Sequence, residues 1–142
     1  MEKGYRAWGH ELDVNTTPLE AGLGFVVDWD KEFTGKAALL QQRAEGGLRH
    51  RIATLRTPEE DLPLWGNEPV LRNGQPVGYV TSAGYAHSIG GQVALATISH
   101  DDLATKGFIS GGEYVIDVGG THVPATASLR PAFDPKGERV RL

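Results

Sequence analysis

An asparagine-glycine pair set between two apolar runs constrains this chain more than any other feature. At Asn73-Gly74 both turn positions call for positive φ, the geometry of a two-residue hairpin. Val70-Leu71 precedes the pair, and residues 77–80 follow it as a second apolar run. A further turn at Gly90-Gly91 leads into Val93, Leu95 and an alanine-rich alternation that ends at Ile98. Three consecutive antiparallel strands follow from this reading. Residues 81–88 are too polar for a core and are expected at the mouth of whatever the strands enclose.

The same punctuation recurs downstream. Residues 113–118 and 122–129 read as strands joined at Gly119-Gly120. Residues 49–55 alternate with period two and read as an edge-like strand. Thr57 to Pro63 reads as an acidic loop, and residues 100–107 as a loop or single turn. About half a dozen strands at this spacing is the pattern of a small barrel or jelly roll. With 19 glycines and 8 prolines, the composition favours short strands and tight turns over long helices.

The first third differs in character. Pro18 and Glu20 mark a helical turn or an extended entry, residues 22–27 a strand, and residues 28–32 a charged loop. Residues 36–45 are the best helix candidate, with Thr34 as N-cap and Gly46-Gly47 as stop. The glycine pair also marks a domain boundary. The fold class is therefore mainly β: a small antiparallel, jelly-roll-like barrel preceded by a short α/β segment of a truncated domain. The divisions are 1–46, 47–135 and a polar tail at 136–142. Residues 2–12 carry two large aromatics from the start, which suggests a chain cut from something longer.

Several chemistries are disfavoured. There is no cysteine, which excludes disulfides and thiolate metal sites. None of the five histidines forms an i, i+4 pair, so no metal site is expected. A net charge of −4 with scattered basic residues gives no nucleic-acid surface. No apolar run approaches the roughly 20 residues that cross a bilayer, and no signal peptide is expected at the N-terminus. Ser82, His87 and Asp101 lack the Gly-x-Ser-x-Gly setting of a nucleophile elbow. Gly22-Leu23-Gly24 lacks the rest of a dinucleotide fingerprint.

Glu2, Tyr5 and Trp8 stand out. A carboxylate can accept two N–H bonds from a flat amidine while aromatics stack on its face, which suits a pterin or purine. The opposing reading makes Tyr5 and Trp8 core residues shared with an upstream segment. It carries more weight on residue type alone, because large aromatics are mostly buried.

At these residues the chain resembles a known family. Residues 2–12 (Glu2-Lys3-Gly4-Tyr5-Arg6-Ala7-Trp8-Gly9-His10-Glu11-Leu12), Thr17-Pro18-Leu19-Glu20-Ala21-Gly22-Leu23-Gly24-Phe25 and Phe33-Thr34-Gly35-Lys36-Ala37-Ala38-Leu39 resemble the end of the folate-binding region of the glycine-cleavage T-protein (aminomethyltransferase) family. Residues 73–87 resemble its C-terminal barrel, and Arg130-Pro131-Ala132-Phe133-Asp134-Pro135 its closing motif. The sarcosine and dimethylglycine dehydrogenase branch is the nearest in motif. The resemblance implies a module of an FAD-dependent N-methyl-amine oxidoreductase that passes the oxidised carbon to tetrahydrofolate. It implies folate contacts at Tyr5, with Glu2, Trp8 and Arg139 or Arg141 as further candidates. FAD and the catalytic aspartate would lie on upstream flavin and folate domains of the same full-length chain, leaving this piece inactive alone. The implied location is the cytoplasm of a bacterium or the mitochondrial matrix of a eukaryote. Two alternatives stay open: a fragment of a stand-alone aminomethyltransferase, and a non-catalytic docking or regulatory barrel.

Overall fold

Six strands close on themselves in the computed structural model, which describes residues 1–58 and 62–141. They are β1 (His50–Thr57), β2 (Pro69–Arg72), β3 (Gln75–Tyr85), β4 (Gln92–Ser99), β5 (Tyr114–Val118) and β6 (Thr121–Ser128). Around the ring the order is β1-β4-β3-β2-β5-β6, and every pairing is antiparallel. The strand expected to be edge-like is β1. It pairs with β4 on one side and β6 on the other, because closure removes edges altogether. The acidic part of the loop read at 57–63, residues 59–61, lies outside the described residues, as does Leu142 at the end of the tail.

The hairpin forms as its residues demand. Asn73 has φ 49° and Gly74 φ 76°, and the two join β2 to β3. Gly119-Gly120 joins β5 to β6. The polar stretch after Val80 does not leave the sheet: residues 81–85 extend β3 past a bulge between Val80 and Ser82. The bulge lets a long strand bend around a narrow barrel. Only residues 86–91 turn back towards β4.

Small residues fill the interior on one side. Ala53, Ala94 and Ala96 face larger groups such as Leu55, Ile98, Ile116 and Val123. Gly78 shows how close the strands come: a Cβ there would sit 1.7 Å from the Thr97 carbonyl oxygen. A short helix, α2 (Lys106–Ser110), starts where a loop or single turn was expected. Its buried Ile109, with Ala104 before it, joins the barrel core. Thr105 caps it by accepting the Phe108 N–H at 3.0 Å.

The preceding segment holds helix α1 (Lys36–Ala44) and a 3-10 turn at Gly24–Val26, with no strand among its described residues. The strand expected at 22–27 is that turn, and Phe25 and Val26 stand 82% and 63% exposed. The physical reason lies just upstream. The Thr17 N–H donates to the Glu20 carboxylate at 2.8 Å and the Glu20 N–H to the Thr17 hydroxyl at 3.3 Å, a capping box. The chain therefore coils, and the Leu23 N–H reaches the Pro18 carbonyl at 2.7 Å. Helix α1 begins as expected, but Gly35 at φ 91° occupies the cap position, so Thr34 makes no cap bond.

Candidate functional site

Segment 1–47 lies against the outside of the barrel, meeting β3 through Glu11 and β1 through Glu20. Val93 and Leu95 alternate out of the barrel yet are fully buried. Ser82 pairs with Leu95 and so shares that outer face. Glu11 binds it there. The Glu11 carboxylate, 1% exposed, accepts the Ser82 and Thr81 hydroxyls at 2.6 Å each and the Ala7 N–H at 2.9 Å. Burial pushes this carboxyl up. The Ser82, Thr81 and Ala7 hydrogen bonds, with nearby His10, outweigh it and leave the group below its ordinary value. Glu11 went unmarked in the sequence because a single acid in a polar run has no signature.

With the segment held in this way, a groove opens between it and the closing residues of the chain. Its volume is about 650 Å³, and it is lined by both apolar and charged groups. Tyr5, Leu23, Phe25 and Val140 supply apolar walls, and Lys3 and Arg141 supply cations. Arg6 runs beneath, its guanidinium donating to the Ala21 carbonyl at 2.9 Å and the Gly4 carbonyl at 2.8 Å. Lys3 approaches Asp134 at 3.9 Å. The Asp134 carboxylate also accepts the Glu138 and Arg139 N–H groups at 2.8 and 3.1 Å. Asp134 is thereby compensated, while Arg141 has no acid partner among the described residues.

The sequence-derived candidates are distributed unevenly around this groove. Tyr5 lines it and is 68% exposed. Trp8 is 73% exposed but outside the lining. Neither aromatic is a core residue of this chain. Glu2 turns to the β3–β4 turn, where its carboxylate accepts the Ser88 N–H at 2.8 Å. Hydrogen bonds from Ser88 hold that carboxyl below its ordinary value. Arg139 packs over the Phe133 ring at 4.9 Å, and Arg141 takes the place beside the groove. Phe25, read as part of a strand, is instead an exposed groove wall. Ser82, His87 and Asp101 do not converge: Ser82 serves Glu11, His87 meets the Tyr85 ring edge-on, and Asp101 lines a cavity beside His50. Among the described residues no three acids or histidines are placed to hold a metal ion, and no helix is long and apolar enough to cross a membrane.

Closed antiparallel topology with a polar strap across one outer face defines a small β-barrel domain. The family model described as the glycine cleavage T-protein C-terminal barrel domain matches residues 50–134, and the chain belongs to that family. It is 38% identical to human mitochondrial sarcosine dehydrogenase over 99% of its length, and 35% identical to rat mitochondrial dimethylglycine dehydrogenase over 100%. In each case it spans 16% of the relative. The solved glycine cleavage system aminomethyltransferase T from Bartonella henselae shares the fold, with TM-score 0.76 at 24% identity over 94% of this chain and 37% of that one.

Proposed function

We propose that this chain is the C-terminal part of a longer FAD-dependent N-methyl-amine dehydrogenase of the sarcosine or dimethylglycine type. In this reading it forms one wall of the site where the oxidised methyl carbon passes to tetrahydrofolate. Residues 1–46 are the end of the folate-binding aminomethyltransferase α/β domain, 47–135 its C-terminal barrel, and 136–142 a tail. The observation that carries the reading is Tyr5, a large aromatic left 68% exposed in a groove with cationic groups at its rim.

That groove suits a flat heteroaromatic ligand with a carboxylate tail. Tyr5 and Phe25 offer ring faces for stacking, and Lys3 and Arg141 offer charge to carboxylates. When bound, tetrahydrofolate supplies two nitrogens that accept a carbon at the formaldehyde level. The chain's own contribution is binding and orientation, which supply rate by proximity. Glu2 orders the β3–β4 turn through Ser88, while Trp8 stays exposed outside the groove lining. Arg141, in place of Arg139, reaches the tail. FAD belongs to the part of the longer polypeptide outside this chain. The proposed location is the mitochondrial matrix in a eukaryote, in keeping with the mitochondrial relatives, and the cytoplasm in a bacterium.

The test uses the full-length protein that carries this segment. Tyr5→Ala raises the tetrahydrofolate Kd roughly three- to tenfold and leaves dye-coupled amine oxidation unchanged. Unaltered folate affinity in that variant removes the reading. So does turnover of sarcosine or dimethylglycine by the 142-residue chain unaided.

A further inference from the structure

Arg51, near the start of β1, is half-buried, and its side chain makes no hydrogen bond or ion pair with any described residue. The chain carries 18 acids to 14 Lys and Arg, so acids are plentiful elsewhere. A desolvated cation without an acceptor is costly, and proteins normally satisfy it. Arg51 lines a cavity of about 330 Å³ between α1, the 3-10 turn and the glycine pair that precedes β1. Arg43 lines it too, its guanidinium 5.1 Å from the centre of the Trp29 ring and without a carboxylate partner among the described residues. No acidic residue among those described lines this cavity. The nearby acids Glu20, Glu45 and Asp102 line the adjoining cavity, together with Arg49.

We propose that the cavity is a binding site for a small oxyanion, a carboxylate or phosphate group, held by Arg51 with Arg43 as second donor. A guanidinium fork matches either group with two parallel N–H bonds, and Arg51 is the better anchor because it is the more buried. Gly22, Gly24 and Gly47 leave the opposite walls without side chains, which gives an anion access to the guanidinium. Burial alone pulls the Arg51 guanidinium below its ordinary value, and no neighbouring carboxylate raises it again. The cavity shares Gly22 with the groove at Tyr5 but none of that groove's aromatic or charged groups, and the proposal does not depend on the folate reading.

The test is titration of the 142-residue chain with inorganic phosphate and, separately, with succinate, followed by calorimetry and thermal melting. Sodium chloride at matched ionic strength is the reference. Saturable binding of either oxyanion is expected, and Arg51→Met weakens it roughly ten- to hundredfold. Arg43→Met weakens it less, and Arg56→Met, an exposed arginine on the same strand, leaves it unchanged. The phosphate and succinate arms tell which chemistry the site prefers. Met keeps the apolar stem, and a melting temperature at or above that of the wild type in chloride shows that Arg51→Met is folded. Stabilisation by chloride equal to that by both oxyanions overturns the proposal. Undiminished affinity in folded Arg51→Met does the same.

Discussion

The barrel and the segment that precedes it are held by different forces. Inside the barrel, Val70, Val80, Ala94, Ala96, Ile98 and Ile116 are fully buried, so apolar area removed from water dominates. In residues 1–47 only Ala21 and Glu11 are fully buried, and α1 fully buries no residue. That segment stays in place through directed bonds: Glu11 to Thr81 and Ser82, the Ile52 N–H to the Glu20 carbonyl at 3.1 Å, and the Phe133 N–H to the Glu2 carbonyl at 2.9 Å. Hydrophobic burial is non-directional and tolerates small shifts. A hydrogen-bonded strap fails one contact at a time. The barrel is therefore the stable unit, and the strap is the part that positions Tyr5.

This contrast can be broken from either side. The largest effect is expected in the barrel, where Gly78→Ala drives a methyl group into the Thr97 carbonyl and costs about 4 kcal/mol. Urea denaturation measures it, and a loss under 1 kcal/mol would mean that the β3–β4 approach relaxes freely. Glu11→Ala comes next. It leaves the Ala7 N–H and the Thr81 and Ser82 hydroxyls without their acceptor and costs about 3 kcal/mol. Amide exchange should quicken in residues 1–47 while the strands stay protected. Uniform quickening would show strap and barrel to be one cooperative unit.

The sign of the pH dependence follows from the lowered Glu11 carboxyl. Its contribution is complete above the ordinary glutamate value, roughly pH 4.3, and is lost as pH falls through the lower folded value. Glu11→Ala should flatten that acid limb and leave the neutral range parallel to the wild type. The smallest effect belongs to Thr34→Ala. A true N-cap would lose about 1 kcal/mol, but the cap position is Gly35, so the change should stay within about 0.5 kcal/mol.

Strand positions were readable because alternation and turn chemistry are local. Asn73-Gly74, Gly119-Gly120 and the Val93–Ile98 alternation all lie where the residues place them. The failures share a cause. Residues 22–27 are apolar enough for a strand, yet no strand pairs with them and an upstream capping box coils the chain. Residues 81–85 are polar, yet they stay in β3 because Glu11 accepts their hydroxyls from outside the barrel. Of the site, Tyr5 stood out by residue type. Its neighbours Phe25 and Arg141 come from separate parts of the chain, and only folding brings them together.

By itself the sequence determined about half a dozen strands and their turns, since period-two apolar patterning and positive-φ pairs act within a few residues. Only the tertiary structure decided that the strands close without an edge, that Glu11 clasps the outer face, and that Arg51 has no counter-charge among the described residues. Those outcomes depend on which groups meet across the chain. Polar contacts between distant residues carry no periodicity to read in advance.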